Sequence, residues 1–319
     1  MEPETQLDSM TNEITLLGPG LLGILLKDRT TRGHILWATD DYCTLGPRYA
    51  AGSQILQKLI TGANAGLVRP RAVKAQDQRS SRTRNRAEVF TPSWICNAQN
   101  NLIDTRWFGR PDVFNTSQGH TWTPRWDKIS FPPHLTWKQY VDARRLEISC
   151  GEAPYLVSRY DSVSGEPMDL PSRIGLLDRK LRIVSENAAG EEEWLRWAYR
   201  AYESTYGFEY QGDSLLLARE NLLCTFVDYA RQALGRPPSL PELKKAALII
   251  SWNLWQMDAL TCTPPVCGRE TAPATAQSEH PAVSESPMPL CRIKNWRTGK
   301  TVTYRALIHS QAGTSPGPA

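Results

Sequence analysis

The chain has 319 residues, 40% hydrophobic and 22% charged, with a formal net charge of +4, the make-up of an ordinary globular protein of one large domain or two modest ones. No run of eighteen apolar residues occurs, and the first residues, MEPETQLDSMTNE, are polar and acidic, so neither a transmembrane helix nor a secretory signal is expected. The seven cysteines are odd in number and scattered from Cys43 to Cys291; this fits reduced thiols and a cytoplasmic location, and Cys262, Cys267 and Cys291 lack the paired spacing of a zinc site.

Residues 1–68 read as a small N-terminal β-rich appendage, with ITLLGPGLLGILL and GHILWATDDY as strand-like runs around the polar turn KDRTTRG. Residues 69–86, RPRAVKAQDQRSSRTRNR, form a basic connector with seven Lys or Arg against one Asp. Residues 87–262 hold the core. There AEVFTPSWICNAQNNLID predicts a turn into a helix, and VDARRLEISCGEAPYLVSRY a strand with a glycine turn. EEEWLRWAYRAYE predicts a helix burying Trp194, Trp197, Ala198 and Ala201, followed by a strand. The next run predicts an amphipathic helix with Leu215, Leu222, Leu223, Phe226 and Ala230 on its buried face, stopping at Gly235. Ser239 and Glu242 have the spacing of a capping box for one more helix. The Pro-, Thr- and Ser-rich residues 263–289 predict a disordered linker, 290–309 a strand hairpin around Arg297-Thr298-Gly299, and 310–319 a tail. Alternating helices and strands make an α/β sheet with helices on both faces the expected architecture.

Three segments carry the chemistry. In LEISCGEAPYL, a strand ends in a small-residue turn where a ligand can approach the backbone, with Glu147 placed to pair with a cationic group; a tight turn bearing a surface glutamate is the plain alternative. In STYGFEYQGDSLLLARENLL, a strand ends at Glu209 before a long helix, and an acid there can accept both hydroxyl protons of a ribose. Asp213 is the better helix-capping candidate, which leaves Glu209 without that structural role. The third, AEVFTP, sets Phe90, Thr91 and Pro92 ahead of a helix, and alone reads equally well as a helix start.

In order and local sequence these segments resemble the amino-methylating DNA methyltransferases of bacterial type I and type IIG restriction–modification systems. The [FY]-[FY]-T-P, D/E-P-A/S-C-G-S/T-G and Y-G-x-E … A-R-x-N-L patterns of that family line up with VFTP, LEISCGEAPYL and YGFEYQGDSLLLARENL, over roughly residues 87–260. The resemblance implies a partial Rossmann-like class I methyltransferase core that binds S-adenosyl-L-methionine. It implies Phe90, Thr91 and Pro92 at the cofactor's methionine end, Glu147 near its amino group, the Cys150-Gly151 turn against its backbone and Glu209 on the ribose. For the acidic position beside the adenine it offers both Asp258 and Asn295. There are departures: Ile148 replaces a proline, Glu152 adds like charge near Glu147, and Ala153-Pro154 narrows the turn where a glycine is usual. The long stretch between the two acidic motifs implies an insertion around SVSGEPMDLPSRIGLLDRK.

The family's D/N-P-P-Y/F tetrapeptide, which orients the flipped base, is absent; TPPV at Thr263 to Val266 has neither the amide nor the aromatic. No catalytic residue is therefore assigned, and the resemblance implies a portion of an adenine-N6 methyltransferase, inactive alone. A second chain with the NPPY-type segment and target-recognition domain would complete it; a non-catalytic DNA-binding subunit or degenerate methyltransferase is the alternative. DNA is the expected partner, with Arg69, Arg71, Lys74, Arg79, Arg82, Arg84 and Arg86 of the connector as candidate phosphate contacts. A nuclease is the weaker enzymatic reading: Glu242 and Lys244 have Glu-x-Lys spacing with Asp228 upstream, but Glu242 already belongs to the capping box.

Overall fold

The computed structural model describes residues 10–74, 91–265 and 289–312. The N-terminal run is helical rather than β-rich. Helices α1 (Met10–Leu17) and α2 (Leu21–Leu25) flank Gly18-Pro19-Gly20, and GHILWATDDY makes only isolated bridges, Lys27 to His34 and Leu36 to Gln54. A short apolar run suits either helix or strand, and burial decides between them. Here Met10, Ile14, Leu21, Leu25 and Trp37 join the same apolar cluster as the rest of the core.

Helix α3 (Ser93–Phe108) follows, then the antiparallel pair β1 (Asn115–Gln118) and β2 (Thr121–Pro124), and α4 (Trp137–Asp142). The central sheet has three parallel strands in the order β3 (Arg145–Ile148), β4 (Thr205–Glu209), β5 (Leu254–Gln256). Helices α5 (Leu176–Asn187) and α6 (Glu191–Glu203) cross from β3 to β4; α7 (Gly212–Leu234) and α8 (Leu240–Asn253) cross from β4 to β5. The segment read as an insertion thus supplies the start of α5. Trp194, Ala198 and Ala201 of α6 are buried as the spacing predicts, with Trp197 half-buried. The Ser239–Glu242 capping box forms, the Ser239 amide donating to Glu242 Oε2 at 2.6 Å.

Helix α7 is not amphipathic: every residue from Gly212 to Val227 is buried. Most of its length is buried among other elements, and two of its polar residues tie it to neighbouring segments. Arg219 donates to the carbonyls of Leu25, Lys27 and Leu254, while Asn221 donates to Glu152 O (3.2 Å) and the Tyr160 hydroxyl (3.0 Å). The helix stops at Gly235, whose φ of 65° is the left-handed conformation glycine adopts without strain. At its start, a Cβ on Gly212 would lie 1.9 Å from Leu36 O, a carbonyl already held by Gln256 Nε2 at 2.8 Å. Gly212→Ala is expected to lower stability by about 1–3 kcal/mol, as overpacking that displaces backbone does; a urea denaturation midpoint equal to wild type would show that the contact yields freely.

The alternation of β4 divides the sheet's surroundings. Thr205, Gly207 and Glu209 alternate with Tyr206 and Phe208, so the two sets face opposite sides. The second side carries a hairpin instead of the expected layer of helices. Strands β6 (Arg292–Lys294) and β7 (Thr301–Thr303) pair antiparallel around the turn, as the sequence predicts, and the chain then becomes helical in α9 (Tyr304–Ala312). Phe208, Trp255, Met257, Cys262, Cys291 and Ile293 form a second apolar cluster, with the Tyr304 ring 5.7 Å from Phe208 and 5.5 Å from Trp255. Among the described residues nothing comparable covers β3: Leu146 and Ile148 are 44% and 64% exposed. Among the described residues, no strand pairs with the outer edge of β3, and no helix is long and apolar enough to cross a membrane.

Candidate functional site

The carboxyl ends of β3 and β4 open into a cleft of about 870 Å³, lined by Thr91, Glu147, Cys150, Gly151 and Glu209 among others. In an open parallel sheet this is the end where ligands bind, because strand ends and the loops after them converge there without side-chain packing above. Positions 91, 147–151 and 209 are distant in sequence, and the β3–β4 register, Glu147 beside Gly207 and Ile148 beside Phe208, brings them together.

The turn after β3 is built on left-handed residues: Ser149, Gly151 and Ala153 have φ of 50°, 53° and 65°. The Cys150 amide still donates to Phe208 O (2.9 Å), so the chain turns away directly after its last sheet contact. Ala153 adopts the glycine-like conformation at a cost of about 1 kcal/mol. Its side chain is fully buried and does not line the cleft, contrary to the expected narrowing. Glu152 also points elsewhere. It is buried, accepting from the Arg71 amide at 2.7 Å and from the Tyr160 hydroxyl at 2.6 Å. Glu152 and Ala153 therefore stay out of the cleft, whereas Pro154 and Ile148, which also depart from the family pattern, line it.

Neither Glu209 nor Asp213 caps α7, whose N-cap is Gln211 without a side-chain cap bond; Glu209 instead binds backbone at the strand ends. Its Oε1 accepts from the amides of Tyr210 (2.9 Å) and Gln211 (3.0 Å), and its Oε2 accepts from Gly151 (2.8 Å), tying the ends of the two strands together. Burial raises its pKa, with these amides opposing the shift. A carboxylate has about four lone-pair positions, so one remains for a further donor. Asp213 instead receives Lys74 Nζ at 3.1 Å and the Tyr42 hydroxyl at 2.9 Å within the first turn of α7.

Glu147 is the less satisfied acid. Its Oε1 accepts one long bond from the Tyr155 amide (3.4 Å), and its buried Oε2 has no hydrogen-bond partner among the described residues. Burial drives its pKa well up, Tyr155 and Leu156 amides oppose the shift, and Glu209 adds to it. A buried acceptor without a donor is costly, and a cationic hydrogen-bond donor in the cleft would relieve that cost. The neighbouring Cys150 thiol is also pushed up by burial, which keeps it protonated and unreactive.

The other predicted residues are dispersed. Pro92 is the N-cap of α3, and Thr91 lines the cleft just before it. Phe90 lies outside the described residues, as do Arg79, Arg82, Arg84 and Arg86. Asp258 folds onto its own turn, accepting from the Leu260 amide at 2.8 Å, and does not line the cleft. Asn295 sits in the β6–β7 turn beside Trp296, whose Nε1 donates to Asn253 at the start of β5; that is the opposite end of the sheet. Lys74 is buried in its ion pair with Asp213, and Arg69 donates to Gly66 O. Conversely, Ala38 and Thr39 of the N-terminal segment and Gln99 line the cleft with no motif to announce them, and Tyr155 lines it from within the LEISCGEAPYL motif without having been assigned a role. Asp228 of the nuclease reading is paired with Arg159 (3.1 Å) and Arg173 (2.8 Å).

No family model, curated protein or solved structure matches this chain. Function therefore has to be argued from the cleft itself.

Proposed function

We propose that the cleft binds S-adenosyl-L-methionine and that the chain is the cofactor-side portion of a DNA adenine-N6 methyltransferase of the restriction–modification type. The observation that carries this reading is the convergence of Thr91, Glu147, Cys150, Gly151 and Glu209, from three separated sequence segments, on one cleft at the carboxyl end of a parallel sheet. The cofactor is a zwitterionic amino acid joined through a sulfonium to an adenosine. Its ammonium would satisfy Glu147 Oε2, and a ribose hydroxyl the free position on Glu209. The bound cofactor would supply the electrophilic methyl group; the residues named here hold and orient it.

The same reading calls for a second chain carrying the NPPY segment and target recognition. The exposed edge of β3 supports it. Arg145 N donates to Ser204 O on the β4 side (2.9 Å), so strand alternation turns the N–H and C=O groups of Leu146 and Ile148 outward, beside their exposed side chains. An unpaired edge on a parallel sheet is a site where a further strand can add.

Calorimetric titration with S-adenosylmethionine tests the reading, with one-to-one binding as the expected result. Glu147→Gln is expected to weaken it about 10- to 100-fold, the worth of a hydrogen bond between charged groups. Because the Glu147 pKa is raised, wild-type affinity should increase with pH as the carboxylate ionises, while the glutamine variant stays flat. Binding of duplex DNA without any cofactor binding would favour the non-catalytic subunit instead.

A further inference from the structure

From Ser286 to Ala319 the sequence contains no Asp or Glu, yet it carries Arg292, Lys294, Arg297, Lys300 and Arg305. The hairpin converts that run into a one-sided surface. Ile293 points into the second apolar cluster and is 5% exposed, so alternation sends Arg292 and Lys294 outward, about 7 Å apart along the strand. Arg292, Arg297 and Lys300 are exposed.

Two tryptophans fix the cations in place. Lys294 Nζ lies 4.1 Å from the centre of the Trp296 ring and 6.0 Å from that of Trp252; the Arg29 guanidinium lies 5.8 Å from the Trp252 ring. Trp296 is itself held by its Nε1 bond to Asn253 Oδ1 (2.7 Å). The acids near this face are engaged elsewhere. Asp28 is buried and accepts the amides of its own turn, Thr30 and Thr31. Asp142 is shared between Arg200 and Arg297, and Glu203 is taken up by Arg200 (3.1 Å), so both acids are already paired with arginines.

We infer that this face, centred on Arg29, Arg292, Lys294 and Lys300, is a contact surface for the phosphate backbone of duplex DNA. The two indoles carry cations over their rings, so they order charge rather than offer faces on which bases could stack. The outward positions of the hairpin are cationic or threonine, with no large apolar side chain to enter a bilayer. Clustered cations, two of them held against indoles and none offset by a free acid on the hairpin, suit phosphates independently of sequence. The inference rests on the reading of the chain as a DNA-directed protein, but it concerns a different surface from the cleft and needs no cofactor.

The test is fluorescence anisotropy of the full chain with a 30-base-pair duplex across a salt series, in the absence of S-adenosylmethionine. Replacing Arg292, Lys294 and Lys300 together by glutamine is expected to weaken binding at least tenfold at about 0.1 M salt and to flatten log K against log salt by about 2 to 3, close to 0.9 per lost phosphate contact. A control replacing Lys58, Arg125 and Lys128 by glutamine makes the same change in net charge away from the hairpin, and should leave the slope nearly intact. Equal losses in both variants, or a hairpin variant that binds the duplex like wild type, would overturn the inference, as would stronger binding to phosphatidylserine vesicles than to duplex. Cofactor titration of the same hairpin variant should be unchanged, which keeps failure here distinct from failure of the cleft assignment.

Discussion

Asp104→Ala is expected to destabilise the protein by about 3–5 kcal/mol, the range for leaving one member of a buried ion pair without its partner. Asp104 on α3 and Arg179 on α5 are 2% and 1% exposed, and Arg179 Nη1 donates to Asp104 Oδ2 at 2.5 Å. The second terminal nitrogen is committed as well: Nη2 donates to Asn97 Oδ1 and Asn101 Oδ1, both at 2.8 Å, and the group lies 5.2 Å from the Phe114 ring. Asp104 Oδ1 accepts from the Tyr140 hydroxyl at 2.8 Å. Removing the carboxylate therefore strands a charge and a buried phenol together. Asp104→Asn keeps an acceptor for Tyr140 and should cost less than alanine. Joint replacement by Asp104→Leu and Arg179→Met should recover much of the loss, because two apolar groups leave no charge behind. Urea denaturation of the four proteins decides it, and a loss under about 1 kcal/mol for Asp104→Ala would show that solvent reaches the pair. The effect should extend to the cleft, since α3 carries Thr91 and Pro92 at its start.

A second large effect concerns pH. Glu220 lies at the middle of α7, fully buried, and among the described residues neither carboxylate oxygen has a hydrogen-bond partner. Burial holds its pKa up at about 8; the nearby Thr11 hydroxyl opposes the shift weakly and Glu13 of α1 adds to it. A folded-state pKa above that of the unfolded chain means that the native protein retains a proton which the unfolded chain releases. The stabilisation is complete below the ordinary glutamate range and is lost as pH rises to about 8. At about 1.4 kcal/mol per unit, the decline from Glu220 alone is of the order of 5 kcal/mol. Glu220→Gln carries no charge at any pH, so it should match wild type within about 1 kcal/mol near pH 5 and exceed it by several kcal/mol near pH 9. Parallel stability curves for the two proteins across that range would rule the account out. Since α1 packs against α7 at this point, the N-terminal helix is the element expected to loosen first at high pH.

These predictions rest on groups that the sequence does not single out. Asp104, Arg179 and Glu220 look like surface charges of helical runs, and Lys180 likewise. Yet Lys180 is 1% exposed and donates to Ala143 O and Ser204 Oγ at 2.6 and 2.7 Å. Local periodicity reports which residues could share a helix face, whereas the number of faces that become buried depends on how many elements surround the helix. For α7 they surround it from Gly212 to Val227. The ARENL run illustrates the same point: it carried much of the family resemblance, and in the fold Arg219 and Asn221 serve as ties between α7 and its neighbours.

The acidic strand ends were the feature most legible in the sequence. Local patterns placed Glu147 and Glu209 at the ends of strands, predicted α6, α7 and α8 and the glycine stop at Gly235, and identified the β6–β7 turn, because each depends on residues within a few positions of one another. What the tertiary structure alone decided was the company those residues keep. Parallel pairing of β3 with β4 set the two acids in one cleft, and three backbone amides occupied Glu209 while Glu147 Oε2 was left without a donor. The left-handed turn swung Glu152 and Ala153 out of the cleft, and the hairpin carried Asn295 to the far end of the sheet. Burial against the core, rather than local composition, made the N-terminal run helical. Strand pairing and burial join residues far apart in the chain, and no local pattern encodes that juxtaposition.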